Sequence, residues 1–193
     1  MIQVLTSADY RQMPWKNGLG TTIELARDSG QDLQHFFWRI SMADVSNDGA
    51  FSIFPAKQRL LSILDGQGLS LDLQDSGKQQ IVSGNDVFSF SGDEKIDSKL
   101  IAGPIRDFNL IYNPAHFSAH MRMFRDESIE INSCADIVFI YNHRQKISIE
   151  INQQCYVLNA GASLKIEENN SMKHIKILEN PLFYGVIVEL NFK

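Results

Sequence analysis

Short apolar stretches separated by turn residues run along the whole chain. In the stretches 69–73 and 147–151, leucine or isoleucine alternates with polar residues. A period of two is typical of a strand with one buried face. Turn signals such as the one at 47–49 recur about every 8–12 residues, and the best helix candidates are single turns at 10–13 and 113–117. The pattern therefore predicts an all-β sandwich or barrel.

The second half repeats the order of elements in the first: an apolar strand, a turn, an alternating strand, a glycine turn and another strand. Gly161 lies 77 residues after Gly84, and Val138 lies 77 residues after Leu61. This repetition predicts an internal duplication. In the first copy, the turn at 65–68 contains two glycines and is expected to close a hairpin.

The stretch 36–43 predicts a strand with two different faces. Its even-numbered residues are large and apolar, so we expect them to face the core. Arg39 and Ser41 lie on the other face, where Arg39 is either solvated or directed into a cavity. In the strand-like stretch 105–112, Asp107 and Asn109 also share one face, opposite the apolar residues. Each of these two strands therefore presents polar groups on one side.

The stretch 13–22 combines more kinds of side-chain chemistry than any other ten residues. Pro14 restricts the backbone, and two nearby glycines permit unusual conformations. Trp15 supplies a flat apolar wall, Lys16 a charge, and Asn17 both a donor and an acceptor. Such a turn at the entrance of a strand suits a small anionic ligand. The alternative is a surface loop with a half-buried tryptophan and a solvated lysine.

Composition argues against several classes of function. The chain has 193 residues, a net charge of −5 and no basic run, so neither nucleic acid nor a membrane surface is an expected partner. The first residues do not match a signal peptide, and no apolar run is long enough to cross a bilayer. Cys134 and Cys155 form no metal or redox motif, and we expect both to be buried, reduced thiols in a cytosolic protein.

The sequence predicts no metal site, and it contains no known catalytic motif. The stretch 61–90 has the layout of a cupin β-barrel, but residues 55–60 contain no histidine where metal-dependent cupins place ligands. Of the five histidines, only His116 and His120 are four residues apart, and the sequence around them is not convincingly helical. If Arg39 and Arg59 lie inside the barrel, they need a partner, which is either an anionic ligand or an internal carboxylate such as Asp107. The alternative is that both arginines lie on solvated surface faces.

Several separated motifs resemble those of the HutD/Ves family. They are Met-Pro-Trp-Lys-Asn-Gly at 13–18, Trp-Arg-Ile-Ser at 38–41, Asp-Gly-x-Phe-Ser-x-Phe-Pro at 48–55, Gln-Arg at 58–59 and Gly-Pro-x-x-Asp-Phe-Asn at 103–109. The resemblance is close over residues 1–112 and rests on length and strand pattern beyond them. Leu19 and Ala56 depart from the family pattern, since glycine is common at both positions.

The resemblance implies a bicupin, that is, two cupin-like (RmlC-like jelly-roll) β-barrels in one bacterial, cytoplasmic chain. Residues 1–112 form the N-terminal barrel with the ligand pocket in this interpretation, and residues 113–193 form a degenerate C-terminal barrel. Residues 1–12 are also candidates for pairing with the second half. HutD members are linked to histidine utilisation, which implies a small carboxylate ligand such as urocanate or formylglutamate. Ves members are linked to stress response, and no catalytic activity or cofactor comes with the family.

The leading interpretation is a metal-free, non-catalytic protein that binds a small carboxylate in the first barrel. In this interpretation Arg39 and Arg59 pair with the carboxylate, and Lys16 adds positive charge. Trp15 closes one side of the pocket, and the remaining residues of the set supply hydrogen bonds. The predicted ligand-binding residues are Trp15, Lys16, Asn17, Arg39, Ser41, Arg59, Asp107 and Asn109.

Two alternatives stay open. The first is an isomerase or hydrolase of an amino-acid breakdown product, with Lys16 or Asp107 as the acid or base. The second is a stress-related interaction protein, in which apolar strands of the second half build the face of a homodimer.

Overall fold

The computed structural model describes residues 1–15, 20–28, 35–169, 171–178 and 183–193. It divides into two compact units: Tyr10–His116 form one, and Met1–Asp9 with Phe117–Lys193 form the other. Every regular element among the described residues is a β-strand, so the all-β prediction is confirmed. Within those residues there is no helix long and apolar enough to span a membrane.

The strands are mostly short and pair antiparallel with their neighbours. In chain order they are β1 (Ile2–Leu5), β2 (Arg11–Pro14), β3 (Gly20–Arg27), β4 (Trp38–Val45), β5 (Gly49–Ala50), β6 (Gln58–Asp65), β7 (Leu69–Leu73), β8 (Lys78–Val82), β9 (Phe88–Ser91), β10 (Ile96–Leu100), β11 (Ile105–Tyr112), β12 (Phe117–Glu127), β13 (Glu130–Ser133), β14 (Ile137–Asn142), β15 (Ile147–Ile151), β16 (Gln154–Leu158), β17 (Ser163–Glu167), β18 (Lys173–Leu178) and β19 (Phe183–Phe192).

Two sheets build the unit Tyr10–His116. The larger sheet has the strand order β2-β3-β4-β11-β6-β9, and the smaller has the order β5-β10-β7-β8. Apolar side chains of both sheets form one core cluster, with Leu61 and Ile63 from β6 and Leu69 and Leu71 from β7. The period-two pattern of these strands supplies one apolar face to each sheet, and burying those faces against each other holds the unit together.

The turn at 65–68 does not close a hairpin, so that prediction is wrong. The strands on either side of it, β6 and β7, belong to different sheets. Gly66 and Gly68 have φ values of 93° and 113°, and a Cβ on Gly68 would lie 2.4 Å from the Val82 carbonyl oxygen. Because they lack a Cβ, the two glycines permit the sharp turn. The strands with which β6 and β7 pair are decided instead by the apolar faces that pack against each other.

The other unit repeats the pairing of the first. Its sheets have the orders β1-β17-β14-β19-β12 and β13-β18-β15-β16, so β14 lies between β17 and β19 as β6 lies between β9 and β11. Leu61 and Val138 occupy these equivalent strands β6 and β14. Gly84 and Gly161 both precede the next equivalent strands, with φ values of 59° and 76°. The pairing pattern thus agrees with the predicted duplication.

Three local predictions need correction. Residues 11–14 form strand β2 and not a helical turn. Residues 113–116 form a single turn, closed by a hydrogen bond from His116 N to Asn113 O, because β12 begins at Phe117. Both cysteines are free thiols as expected, but they are exposed and not buried. Cys155 lies on the edge strand β16 beside Tyr156, which packs on the core, so Cys155 points to the opposite face.

Strand β4 is buried on both faces. Trp38, Ile40 and Met42 are buried as predicted, and the polar residues Arg39 and Ser41 of the other face are buried as well. Of the two possibilities for Arg39, solvation is therefore excluded. The side chain lies inside the unit Tyr10–His116.

Candidate functional site

Three neighbouring strands of the larger sheet bring polar residues together on one face. Ser41 of β4 lies directly opposite Asn109 of β11, and Arg39 lies opposite Ile111. Across the other edge of β11, Ile111 lies opposite Arg59 of β6. Because directly opposite residues of antiparallel strands share a face, the two arginines flank Ile111 in one row.

A cavity of about 920 Å³ adjoins this face. Two of the eight predicted site residues, Lys16 and Asn17, lie outside the described residues. The structure brings the other six together around the cavity: Trp15, Arg39, Ser41, Arg59, Asp107 and Asn109.

Arg59 is held in place by the protein. Its Nη1 donates to the Ser52 carbonyl oxygen at 3.0 Å, and its Nη2 donates to Asn109 Oδ1 at 2.9 Å, whereas its buried Nε has no partner among the described residues. The guanidinium also lies 5.0 Å from the ring centroid of Phe51 and 4.9 Å from that of Phe90. Burial lowers the pKa of Arg59 to about 10, so the side chain stays charged at neutral pH.

Arg39 is also buried but has fewer partners than Arg59. Its Cζ lies 5.2 Å from the ring centroid of Phe36 and 5.1 Å from that of Phe54. Its Nε is buried without a hydrogen-bond partner in the part of the chain that the structure describes. Burial lowers the pKa of Arg39, and the nearby charge of Glu24 opposes this effect. The same carboxylate also pairs with Arg27, whose Nη1 lies 3.7 Å from Glu24 Oε2. Arg39 is therefore a cavity-lining cation with spare donor capacity.

Asp107 is the buried acid of the site. Its Oδ1 accepts a hydrogen bond from the backbone N–H of Ala43 at 2.9 Å, and its carboxyl group also forms a hydrogen bond with the Asn109 side chain. Burial raises the pKa of Asp107 to about 6, although the charge of Arg59 and these hydrogen bonds act in the opposite direction. Asn109 therefore links the acid to the arginine.

Trp15 lines the cavity near the entrance of β3. Its indole Nε1 donates to Thr22 Oγ1 at 2.8 Å, and its backbone N donates to the Gly20 carbonyl oxygen at 2.9 Å. A Cβ on Gly20 would lie 2.8 Å from the indole Cε3 atom. The close approach of the indole ring to the backbone therefore requires glycine at position 20.

Sequence reasoning missed the loop between β5 and β6. Phe54 and Lys57 of this loop both line the cavity, and Lys57 Nζ lies 5.5 Å from the ring centroid of Phe36. The available signal was the motif at 48–55, which ends two residues before Lys57. Strand parity gives no direction for a loop residue, so the pattern could not indicate that this lysine lines the cavity.

The chemistry of the cavity favours an anion. Its charged described residues are three cations and two carboxylates, namely Arg39, Lys57, Arg59, Asp48 and Asp107. The aromatic rings beside the guanidinium groups form an apolar wall. No group of three or more potential metal ligands occurs among the described residues, and no histidine described by the structure lines the cavity.

Comparison with known proteins identifies relatives over almost the whole chain. A Pseudomonas putida protein, named an uncharacterized 21.2 kDa protein in the hutC 3′ region, is 36% identical over 177 residues, which cover 91% of this chain and 92% of the relative. A crystal structure of a conserved protein of unknown function from Pseudomonas aeruginosa PAO1 matches with a TM-score of 0.91 and 34% identity over 99% of both chains. HutD from Pseudomonas fluorescens SBW25 matches with a TM-score of 0.83 and 32% identity over the full length of both chains.

The fold and the site define an all-β, cupin-like protein with a cation-lined cavity. A cupin 2 conserved barrel domain protein from Leptotrichia buccalis shares the fold at 9% identity, with a TM-score of 0.53 over 95% of this chain and 96% of that one. The HutD family model matches residues 7–180. The chain belongs to the HutD family, which confirms the resemblance seen in the sequence motifs.

Proposed function

We propose that this protein binds a small carboxylate in the cavity of the unit Tyr10–His116, without a metal and without catalysing a reaction. The observation that carries the proposal is the state of Arg39, which is buried and lines the cavity but, unlike Arg59, donates no hydrogen bond to an oxygen atom of the described residues. A buried charge is costly unless it is paired, and a carboxylate matches the fork of a guanidinium.

The two arginines have different roles in this proposal. Arg59 already donates to two protein oxygen atoms, so it supplies positive charge and positions Asn109. Arg39 receives the ligand carboxylate, and the ring of Phe54 packs against it. Ser41 and Asn109 supply hydrogen bonds on the same face, and Trp15 covers one side, while Lys16 and Asn17 stay in the proposal on their sequence motif alone.

Urocanate and formylglutamate are the proposed ligands, in a role connected with histidine utilisation. The name of the P. putida relative refers to hutC, and the P. fluorescens structure is described as HutD in a formate condition. Formate is the smallest carboxylate. We further propose a bicupin in the cytoplasm, which the repeated strand pairing and the two free cysteines support.

A thermal-shift screen tests the proposal. The purified protein is heated with urocanate, formylglutamate, histidine, glutamate or formate, each with and without divalent metal ions. A ligand at a hundred times its Kd adds about 2.7 kcal/mol to the free energy of unfolding, which raises the melting temperature by several degrees. We expect a rise with a carboxylate that does not depend on metal. A rise only with metal, or none with any carboxylate, would contradict the proposal.

Calorimetry with two matched variants then locates the ligand. Arg39→Gln should raise the Kd at least about tenfold, because a hydrogen bond to a charged group contributes about 1.5–3 kcal/mol. Arg106→Gln removes the same charge from β11, but Arg106 pairs with Asp44 and does not line the cavity. It should leave the Kd unchanged. Equal losses in both variants would mean that the ligand responds to overall charge and not to this cavity.

A further inference from the structure

The arrangement around Asp107 has a consequence for any anion that enters the cavity. Asp107 lines the same cavity as Arg39 and Arg59, and it is buried at 3% exposure. The charge of Arg59 acts on the Asp107 carboxylate, and Asn109 joins the two through one hydrogen bond to each. An anion that binds here therefore shares the cavity with a buried carboxylate that depends on the same cations.

We propose that carboxylate binding in this cavity is coupled to the uptake of one proton by Asp107. The inference rests on the proposed function, since it describes how that ligand would bind. Two negative charges close together in a buried site repel each other, and one of them takes up a proton. Once protonated, Asp107 gains an O–H donor in place of its charge, and that donor can point to the bound anion.

The charged groups around Asp107 favour it as the group that changes charge. Arg59 on β6 acts on Asp107 and stays charged near neutral pH, whereas Asp44 on β4 adds a further negative charge. Arg39 on β4 lines the same cavity. Lys57 and Asp48 also line the cavity. Because no described histidine lines it, Asp107, whose pKa burial raises to about 6, is the acid placed to titrate near neutral pH.

The coupling fixes how affinity depends on pH. If binding raises the pKa of Asp107 above its value in the empty cavity, binding takes up a proton between the two values. Affinity then rises as the pH falls, by up to about tenfold per pH unit within that window. Below about pH 6 the acid is already protonated and the affinity becomes constant.

Isothermal titration calorimetry tests the proposal on the intact protein. Formate and formylglutamate are suitable probes because their carboxylates stay ionised between pH 5.5 and pH 8.5, whereas the imidazole of urocanate titrates in this range. Titrations at each pH in two buffers that carry neither phosphate nor carboxylate give the number of protons taken up, provided that the two buffers have different ionisation enthalpies. We expect about one proton near pH 7 and a Kd that increases from pH 6.5 to pH 8.5.

Two variants identify the acid. Asp107→Asn should bind without proton uptake and with a Kd independent of pH, whereas Asp44→Asn, the same change one strand away, should keep the proton uptake. Binding without proton uptake in the unaltered protein would overturn the coupling and leave the proposed function intact, even if Asp107→Asn does not fold. Proton uptake that persists in Asp107→Asn would also overturn it. If neither probe binds at any pH and no carboxylate of the thermal-shift screen raises the melting temperature, both proposals fall.

Discussion

The Asp107 carboxylate accepts a hydrogen bond from the backbone N–H of Ala43, the residue directly opposite it on the neighbouring strand. The side chain thus satisfies part of the sheet backbone while it lines the cavity. Contacts of this kind affect the stability of the protein, which can be measured without knowing the ligand.

The stability of the protein should depend on Asp107 between pH 4 and pH 6. Burial raises its folded pKa to about 6 from the usual 3.8, so the folded state holds the proton more tightly than the unfolded state. Its contribution is therefore fully present below pH 3.8 and is lost as the pH rises through 6, by roughly 3 kcal/mol at about 1.4 kcal/mol per pKa unit. Urea unfolding at pH 4.5, 5.5, 6.5 and 7.5 measures this loss.

Asp107→Asn carries no titrating group at this position, so its stability relative to the unaltered protein should rise from pH 4.5 to pH 6.5 and then level off. Asp44→Asn is the control, because Asp44 pairs with Arg106 on a more exposed part of the same sheet. A stability difference that stays constant across this range for Asp107→Asn would show that Asp107 has an ordinary pKa.

The two cavity arginines should differ in their effect on stability. Arg59→Gln leaves the Ser52 carbonyl and Asn109 Oδ1 without their donor, and it removes the cation near Asp107. Breaking such a buried arrangement costs about 3–5 kcal/mol. Arg39→Gln leaves no described oxygen atom without its donor, so it should cost about 1 kcal/mol or less. Urea unfolding of the two variants measures both losses of stability. Equal losses in the two variants would contradict this prediction.

Gly20→Ala should displace the indole of Trp15. The added Cβ would lie 2.8 Å from both the Asp44 carbonyl oxygen and the indole, and such overpacking costs about 1–3 kcal/mol. The amide NMR spectrum shows the indole N–H of Trp15, which should shift as its bond to Thr22 weakens. Gly49→Ala is the control, since nothing lies within 4 Å of its added Cβ. If both variants keep the indole signal in place, the close approach is not as tight as described.

Ala56→Gly should stabilise the protein. Ala56 has a φ of 56°, a left-handed conformation that costs a residue with a Cβ about 1–2 kcal/mol. Glycine removes this cost but adds about 0.5–1 kcal/mol of unfolded-state entropy, so a net gain of about 0.5–1 kcal/mol is expected. Ala102→Gly, at an exposed position without a positive φ, should lose stability instead. Thermal unfolding compares the two, and a loss in both would contradict the strain.

The sequence predicted the strands and the division of their faces because side chains of a strand alternate strictly. Parity alone separated Asp107 and Asn109 from Phe108, and the repeated order of elements predicted a repeat that the strand pairing reproduces. The family motifs then selected residues for the site, and all six that lie in the described part of the chain line one cavity.

The tertiary structure decided several features that the alternation of apolar and polar residues along a strand does not encode. Parity gave Arg39 a face, but only the packing of two sheets decided that this face is a cavity wall and not solvent. The partners of β6 and β7, the exposure of Cys155 and the position of Lys57 depend on contacts between residues distant in the chain. A sequence pattern records the local period of burial, whereas pairing and enclosure depend on which distant surfaces meet.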